Sequence, residues 1–346
     1  MMLTLAVAKL IAPNRRENAR SPDPFTEAEL ATQRQAPRET TYAALLDLNS
    51  KDVAHMGLAE LNLICGSGLP GTGTADTRQS LKRLDEMAAM AKADIANPAN
   101  LGRWKSNRPS GETSESIYKM RILVAVLQQK CGIHYNPELK ALTTANGGKR
   151  PTSYHEWDRK FHTDASNVFL QGLLADKRQG TCVSMPVLYA AVARRLGYPV
   201  RLVMSKGHLF CRWDSPEERF NIEGTGVGGM TSYPDEFYHT FPNRLSEWEL
   251  ENENYLKSLT PAQELALFLK TRAVCLAQHQ RHNEGLVALA QAVRLAGKRG
   301  IPGLEKQIAI DGFLPAETRH AVERLLLEEI KPFSGSSPGI IPGAGK

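Results

Sequence analysis

In the stretch Gly180-Thr181-Cys182-Val183-Ser184-Met185-Pro186 a cysteine stands just ahead of an apolar helical run, Val187 to Leu196. Proline is tolerated only in the first turn of a helix, so Pro186 places the helix start near Cys182 to Ser184. A sulfur at that point meets unpaired backbone N–H groups and the positive end of the helix dipole. Such surroundings favour the thiolate, which is the nucleophilic form. The same local sequence also fits a small buried apolar residue.

Two β-type runs follow, His208 to Trp213 and Glu218 to Glu223, around a turn at Asp214-Ser215-Pro216-Glu217. Leu209, Cys211 and Trp213 make one apolar face, and Phe220 and Ile222 make its counterpart. Matching the two faces predicts Leu209 opposite Ile222 and Cys211 opposite Phe220. The same register sets His208 opposite Glu223 on the other face, within cross-strand reach. A carboxylate beside an imidazole fixes its tautomer and stabilises its protonated form, the orienting role in a nucleophile–base–orienter triad. Cys182, His208 and Glu223 supply those three roles in chain order. Taken singly, His208 also reads as a strand-end histidine and Glu223 as a solvated turn residue.

The elements that must hold these residues are mostly helical. Residues 1–41 read as a poorly ordered arm punctuated by Pro13, Pro22, Pro24 and Pro37. From Tyr42 to Gly132 the apolar spacing is helical. One helix ends at the Gly66 to Gly73 turn, one spans Thr77 to Ala96, and one spans Ser114 to Gln129. A polar loop is expected over Ala145 to Thr152 and a short helix over Asn167 to Lys177. Thr260-Pro261-Ala262-Gln263 is a capping-box start with proline at the first helical position. It opens a helix to about Gln280, followed by a second from Asn283 to Leu295, a hairpin of tetratricopeptide-like kind. Ala316 to Ile330 reads as a last helix, and Ser334 to Lys346 as a Gly/Pro/Ser tail.

Composition excludes several classes. The 346 residues are 42% apolar and 23% charged, enough for a sizeable core. The net charge of +6 is spread along the chain, so a nucleic-acid partner is not expected. No apolar run reaches the roughly 18 residues a membrane helix needs. The apolar stretch Met1 to Ala12 precedes Arg15, Arg16 and Arg20, the reverse of a secretory signal. Cys65, Cys131, Cys182, Cys211 and Cys275 are odd in number with no C-x-x-C, which points to a reducing, cytoplasmic setting. Gly224, Gly226 and Gly229 satisfy G-x-G-x-x-G, but no helix opens after them, so they read as a flexible loop and not a phosphate cradle. The remaining histidines lack metal-ligand spacing, and neither metal nor cofactor is expected.

Gly180-Thr181-Cys182, the helix through Leu188-Tyr189, Arg194-Arg195-Leu196-Gly197-Tyr198-Pro199-Val200, Gly207-His208 and Asn221-Ile222-Glu223 together resemble the transglutaminase-like superfamily. The likeness extends to a bacterial branch in which helices precede the core and a tetratricopeptide-like segment can follow; Leu61 to Gly71 resembles a segment ahead of the core there. It covers Tyr42 to Leu295 in outline and is specific over Gly180 to Gly224. It implies an α+β fold, a papain-like transglutaminase-like core with helical N-terminal and C-terminal additions. The expected layout is an arm over 1–41, lead-in and core over 42–258, a helical hairpin over 259–332 and a disordered tail over 333–346. It also implies cysteine-dependent acyl chemistry on a peptide or isopeptide amide, by hydrolysis or by transfer. Cys182 would be the nucleophile and His208 the base, with Glu223 standing where Asp is usual. Some relatives lack the cysteine; this chain keeps it. The Cys182 backbone N–H is an oxyanion donor in this scheme, and Gln179 is a side-chain candidate. A protein or peptide substrate follows, with the C-terminal helices available to a protein partner. The alternative is a non-catalytic protein-binding scaffold that retains the fold.

Overall fold

The computed structural model describes residues 32–33, 40–74, 76–107, 114–144, 154–226, 229–296 and 302. Most of the expected arm, the Ala145 to Thr152 loop, the Ala316 to Ile330 helix and the tail lie outside the described residues.

Helices α1 (Tyr42–Leu45), α2 (Ser50–Val53), α3 (Leu58–Gly66), α4 (Thr77–Ala96), α5 (Pro98–Asn107) and α6 (Glu115–Ala125) form the first part of the fold. Their starts follow capping chemistry: Asp76 accepts from the Arg78 N–H and Ser114 from the Ile117 N–H. The helix expected to run to Gln129 does so in two forms, because α6 passes into a π-helical turn, Val126–Lys130. Gly132, at φ +73, ends it in a conformation that suits glycine.

Strand β1 (His134–Tyr135) leads to α7 (Pro137–Thr144) and α8 (Tyr154–Thr163). The helix expected over Asn167 to Lys177 is shorter, a 3-10 turn at Ala165–Asn167 and then α9 (Leu170–Leu174). Strand β2 (Gln179–Gly180) pairs in parallel with β1, His134 with Gln179 and Tyr135 with Gly180. Helix α10 (Met185–Arg195) follows, then an antiparallel sheet in the order β3 (Val200–Ser205), β4 (His208–Asp214) and β5 (Arg219–Ile222). The short helices α11 (Asp235–Tyr238) and α12 (Glu247–Asn252) precede α13 (Pro261–Gln278) and α14 (His282–Ala296), which pack on each other as a hairpin.

The β4–β5 register differs from the expected one by two residues. Cys211 pairs with Ile222 and Trp213 with Phe220, and a four-residue loop closes with Ser215 N–H to Glu218 O at 3.0 Å. Sliding an antiparallel strand by two preserves every face, so the apolar pattern could not separate the registers. The stacked rings of Trp213 and Phe220, 5.9 Å apart, favour the observed one.

A single apolar cluster runs from Leu45 and Leu61 through Leu123 and Leu188 to Leu265 and Leu289. It covers the Leu209, Cys211 and Trp213 face of β4. The opposite face, with His208, Phe210 and Arg212, is covered as well, by a second cluster that includes Tyr238, Leu245 and Tyr255. Arg212 is satisfied there by Asn221, Asp235 and the Leu256 carbonyl. His208 therefore lies inside the protein and not on a polar outer face. Among the described residues no helix is long and apolar enough to cross a membrane.

Candidate active site

The turn carrying Cys182 is built from its neighbours' hydroxyls. Thr181 Oγ1 accepts from the Val183 N–H at 3.2 Å, and Ser184 Oγ accepts from the Thr181 N–H at 3.0 Å. Both hydroxyls donate to the Asn167 carbonyl, each at 2.8 Å. Met185 N–H reaches back to Thr181 O at 2.9 Å, so helical bonding begins with Cys182 in its first turn, as Pro186 implied. Gly180 allows the approach: a Cβ there would lie 2.6 Å from Ser184 Oγ and 2.6 Å from a Leu173 methyl. No described residue accepts from the Cys182 N–H, which leaves one orphan donor of the helix start beside the sulfur.

His208 opens β4 after the tight Lys206-Gly207 turn, where Gly207 has φ +84. Its ring lies parallel to Tyr238 at 6.4 Å and edge-on to Phe241 at 5.6 Å, which restricts its orientation. Glu223 follows β5, with its backbone tied to Thr231 by two bonds of 2.8 Å. In the observed register Glu223 lies diagonal to His208 and not opposite it, a separation long side chains can span. Glu223 Oε2 meets His208 Nε2 at 2.6 Å. Its other oxygen accepts from the Thr225 N–H at 3.0 Å and from the Thr225 hydroxyl.

With Nε2 on the carboxylate, Nδ1 is the ring nitrogen left for sulfur. Cys182 acts in the same direction as Glu223, favouring the imidazolium. Burial works against that charge, but Glu223, together with the bonds to Cys182 and Glu223, overcomes it and holds His208 well above its ordinary 6.5. Burial likewise opposes the charge on Glu223, and the His208 imidazolium with the Thr225 bonds hold its carboxyl below 4.5. The two shifts describe one buried ion pair seen from either end.

The structure brings His208 and Glu223 into contact, in a register two residues from the expected one, and Cys182 is among the groups that favour the charge on His208. Gln179 sits on β2 and lines a polar cavity of about 560 Å³ with Asn136, Asp164, Asn167 and Gln171; Cys182, His208 and Glu223 are not part of that lining. Among the described residues no three His, Cys, Asp or Glu side chains converge to hold a metal ion. Sequence reasoning missed Thr225, Tyr238, Phe241 and Gln128. Thr225, two residues after the acid, is a local signal that could have been used, since short hydroxyl side chains bond nearby polar groups. The loop bearing Gly224, Gly226 and Gly229 is not the free segment expected. The Gln128 side chain bonds all three glycines, from the carbonyls of Gly224 and Gly226 to the Gly229 N–H.

A family model described as the transglutaminase-like superfamily matches residues 78–270, more than half of the chain and the whole span from α4 to most of α13. The chain belongs to that superfamily. No curated protein and no solved structure matches it.

Proposed function

We propose that the chain carries out cysteine-dependent acyl chemistry on a peptide or isopeptide amide. The observation that carries this reading is the 2.6 Å contact of Glu223 with one nitrogen of a buried imidazole whose charge Cys182 also favours. The Cys182 sulfur attacks the amide carbonyl, a C–S bond forms, and the carbonyl electrons move onto oxygen. The orphan Cys182 N–H is placed to stabilise that oxyanion. The His208 imidazolium gives its proton to the amine as the C–N bond breaks, leaving a thioester. Neutral His208 then takes a proton from water, giving hydrolysis, or from an amine, giving transfer. Glu223 holds the ring and balances its charge throughout. Five free cysteines suit a reducing, cytoplasmic setting in which such a thiol persists.

The burial of Cys182, 8% exposed, is the observation that favours a second reading. In it the fold is a non-catalytic scaffold that recruits a protein through α13 and α14, where Val287 is half exposed. Iodoacetamide labelling separates the two. In the catalytic reading Cys182 alkylates faster than a free cysteine at pH 6, and His208→Ala removes the difference with the fold intact. Labelling at the rate of a free thiol supports the scaffold. Activity-based capture from peptide and isopeptide libraries, with Cys182→Ala as the blank, then defines the substrate.

A further inference from the structure

The β4–β5 pairing stops where the site begins. Ile222 is the last paired residue of β5, opposite Cys211, while β4 continues back to His208. Glu223, Gly224 and Thr225 therefore have no strand partner on the β4 side, yet both oxygens of the Glu223 carboxylate depend on where that backbone lies. One outside restraint is the two-bond bridge to Thr231. Two more come from Tyr189 on α10 and from the helical lead-in, nearly a hundred residues earlier.

Gln128 projects from the π-helical turn, whose wider winding closes with Cys131 N–H to Val126 O at 3.0 Å. Leu127 on the same turn is fully buried, while Gln128 is directed at the loop after Glu223. Its Nε2 donates to Gly224 O at 2.8 Å and lies 3.2 Å from Tyr189 Oη and 3.3 Å from Gly226 O. Its Oε1 accepts from the Gly229 N–H at 3.0 Å. Tyr189 Oη donates to the same Gly224 carbonyl at 2.7 Å, so both lone pairs of that oxygen are used. Gly224 is packed flat on the Tyr189 ring, where a Cβ would come within 2.5 Å of it. A π-turn is an uncommon element that often marks a functional position, and here it aims one amide at three glycines.

Resting on the reading given above, we infer that Gln128 is a positioning residue for the Glu223 carboxylate, acting through the backbone of Gly224, Gly226 and Gly229 in place of a strand partner. The helical lead-in is then part of the active site and not an appendage to it. The titratable groups facing His208 are Cys182, Glu223 and Tyr238, and Tyr189 and Cys211 also feel the charge of Glu223. Gln128 itself has no charge to contribute, so its effect has to come through geometry.

The test is Cys182 alkylation by iodoacetamide at pH 6 and pH 9.5, in wild type, Gln128→Ala, Gln128→Glu and the exposed neighbour Gln129→Ala. In the proposed chemistry the imidazolium held by Glu223 assists the sulfur, so loosening Glu223 slows alkylation at pH 6. The expected result is a tenfold or greater fall at pH 6 in both Gln128 variants, convergence with wild type at pH 9.5, and no change in Gln129→Ala. Gln128→Glu matches glutamine in size and keeps an acceptor for Gly229, so it carries the test if Gln128→Ala does not fold. Wild-type rates at pH 6 in both variants overturn the inference and leave the proposed chemistry standing. An equal fall at both pH values also overturns it, because general damage to the thiol's surroundings has no reason to depend on the ion pair. A wild-type thiol no faster than free cysteine at pH 6 instead removes the proposed chemistry, and the inference with it.

Discussion

Helices α10 and α13 open in much the same way, and only one of them opens beside reactive groups. Each carries a proline near its start and has a threonine hydroxyl ahead of it that accepts a backbone N–H, although at α10 the N-cap itself, Ser184, makes no side-chain capping bond. At α13 Thr260 Oγ1 accepts from the Gln263 N–H and Gln263 Oε1 accepts from the Thr260 N–H, a closed capping box. Pro261 directly follows the cap, so a position that would hold an orphan donor has none. At α10 the proline stands five residues after the threonine, and the residue that follows the threonine, Cys182, keeps its N–H. The reciprocal bond to Thr181 comes from Ser184, whose hydroxyl also donates to Asn167. One helix start is sealed and the other leaves a donor beside a thiol. The spacing of proline from the threonine, more than the presence of either, separates the sealed start from the open one.

The largest way to break that contrast is to remove the groups that only α10 has beside it. His208→Ala is expected to lower acyl turnover by about 10²–10⁴-fold, the usual worth of a positioned general acid–base. Cys182→Ala should abolish covalent labelling, and Thr260→Ala should leave labelling untouched. Rates for His208→Ala within a few-fold of wild type would make the two helix starts equivalent.

The first turn of α13 has its own specialised partner. Glu264 there makes a two-pronged pair with Arg194 in the last turn of α10, at 2.9 and 2.5 Å, and Arg194 Nε donates to Val200 O at 2.7 Å. Both side chains are buried, and each charge complements the dipole of its own helix end. Glu264→Ala strands a guanidinium in the core, at a cost of about 3–5 kcal/mol. Denaturant unfolding should show that loss, and any folded fraction should keep its labelling rate at pH 6. A loss under about 1 kcal/mol would mean that the α13 start is held by apolar packing alone.

The pH dependence sharpens the contrast, because it belongs to one helix start only. His208 is raised, so the stabilisation it draws from Glu223 is complete below 6.5 and fades as pH climbs through its folded value. Glu223 is lowered, so its share is complete above 4.5 and fades as pH falls through its folded value. The pair is at full strength between those two ordinary values and extends beyond each. In Glu223→Gln the main support of the imidazolium is gone, burial prevails, and His208 drops below 6.5. Imidazole proton NMR should follow that drop, and alkylation at pH 6 should slow with it. A ring that still titrates above 6.5 in Glu223→Gln would assign its shift to some other group.

What the sequence made legible was local. The bounds of α4, the box at Thr260 and the start of α10 follow from residues within four places of each other. The pairing of His208 with Glu223 was legible too, but its geometry was only half so. Leu209, Cys211, Phe220 and Ile222 determine which face His208 and Glu223 share, and they tolerate a slide of two. The slide was decided by the Ser215–Glu218 loop and the Trp213–Phe220 stack. It also gives the glutamate its place, since the longer acid spans a diagonal. The burial of His208 was hidden because its cover, Tyr238 and Phe241, comes from a segment with no strand or helix pattern tied to β4. Gln128 was hidden more deeply: its partner Gly224 lies 96 residues on, and a π-turn has no pattern of its own.

The smallest expected effects make the finest comparison of the two starts. Thr181→Val and Thr260→Val each keep the shape of the side chain; the first removes the hydroxyl that holds the Val183 N–H and the second an N-cap, each at about 1 kcal/mol of stability. Thermal melts should therefore move by similar amounts. Alkylation should not. Thr181 Oγ1 holds the Val183 N–H and the Asn167 carbonyl on either side of Cys182, so its loss lets the sulfur drift from the His208 ring. A several-fold slower reaction at pH 6 is expected for Thr181→Val and none for Thr260→Val. Equal labelling in the two variants, with equal melting shifts, would show that the Thr181 hydroxyl supports the helix without aiming the thiol.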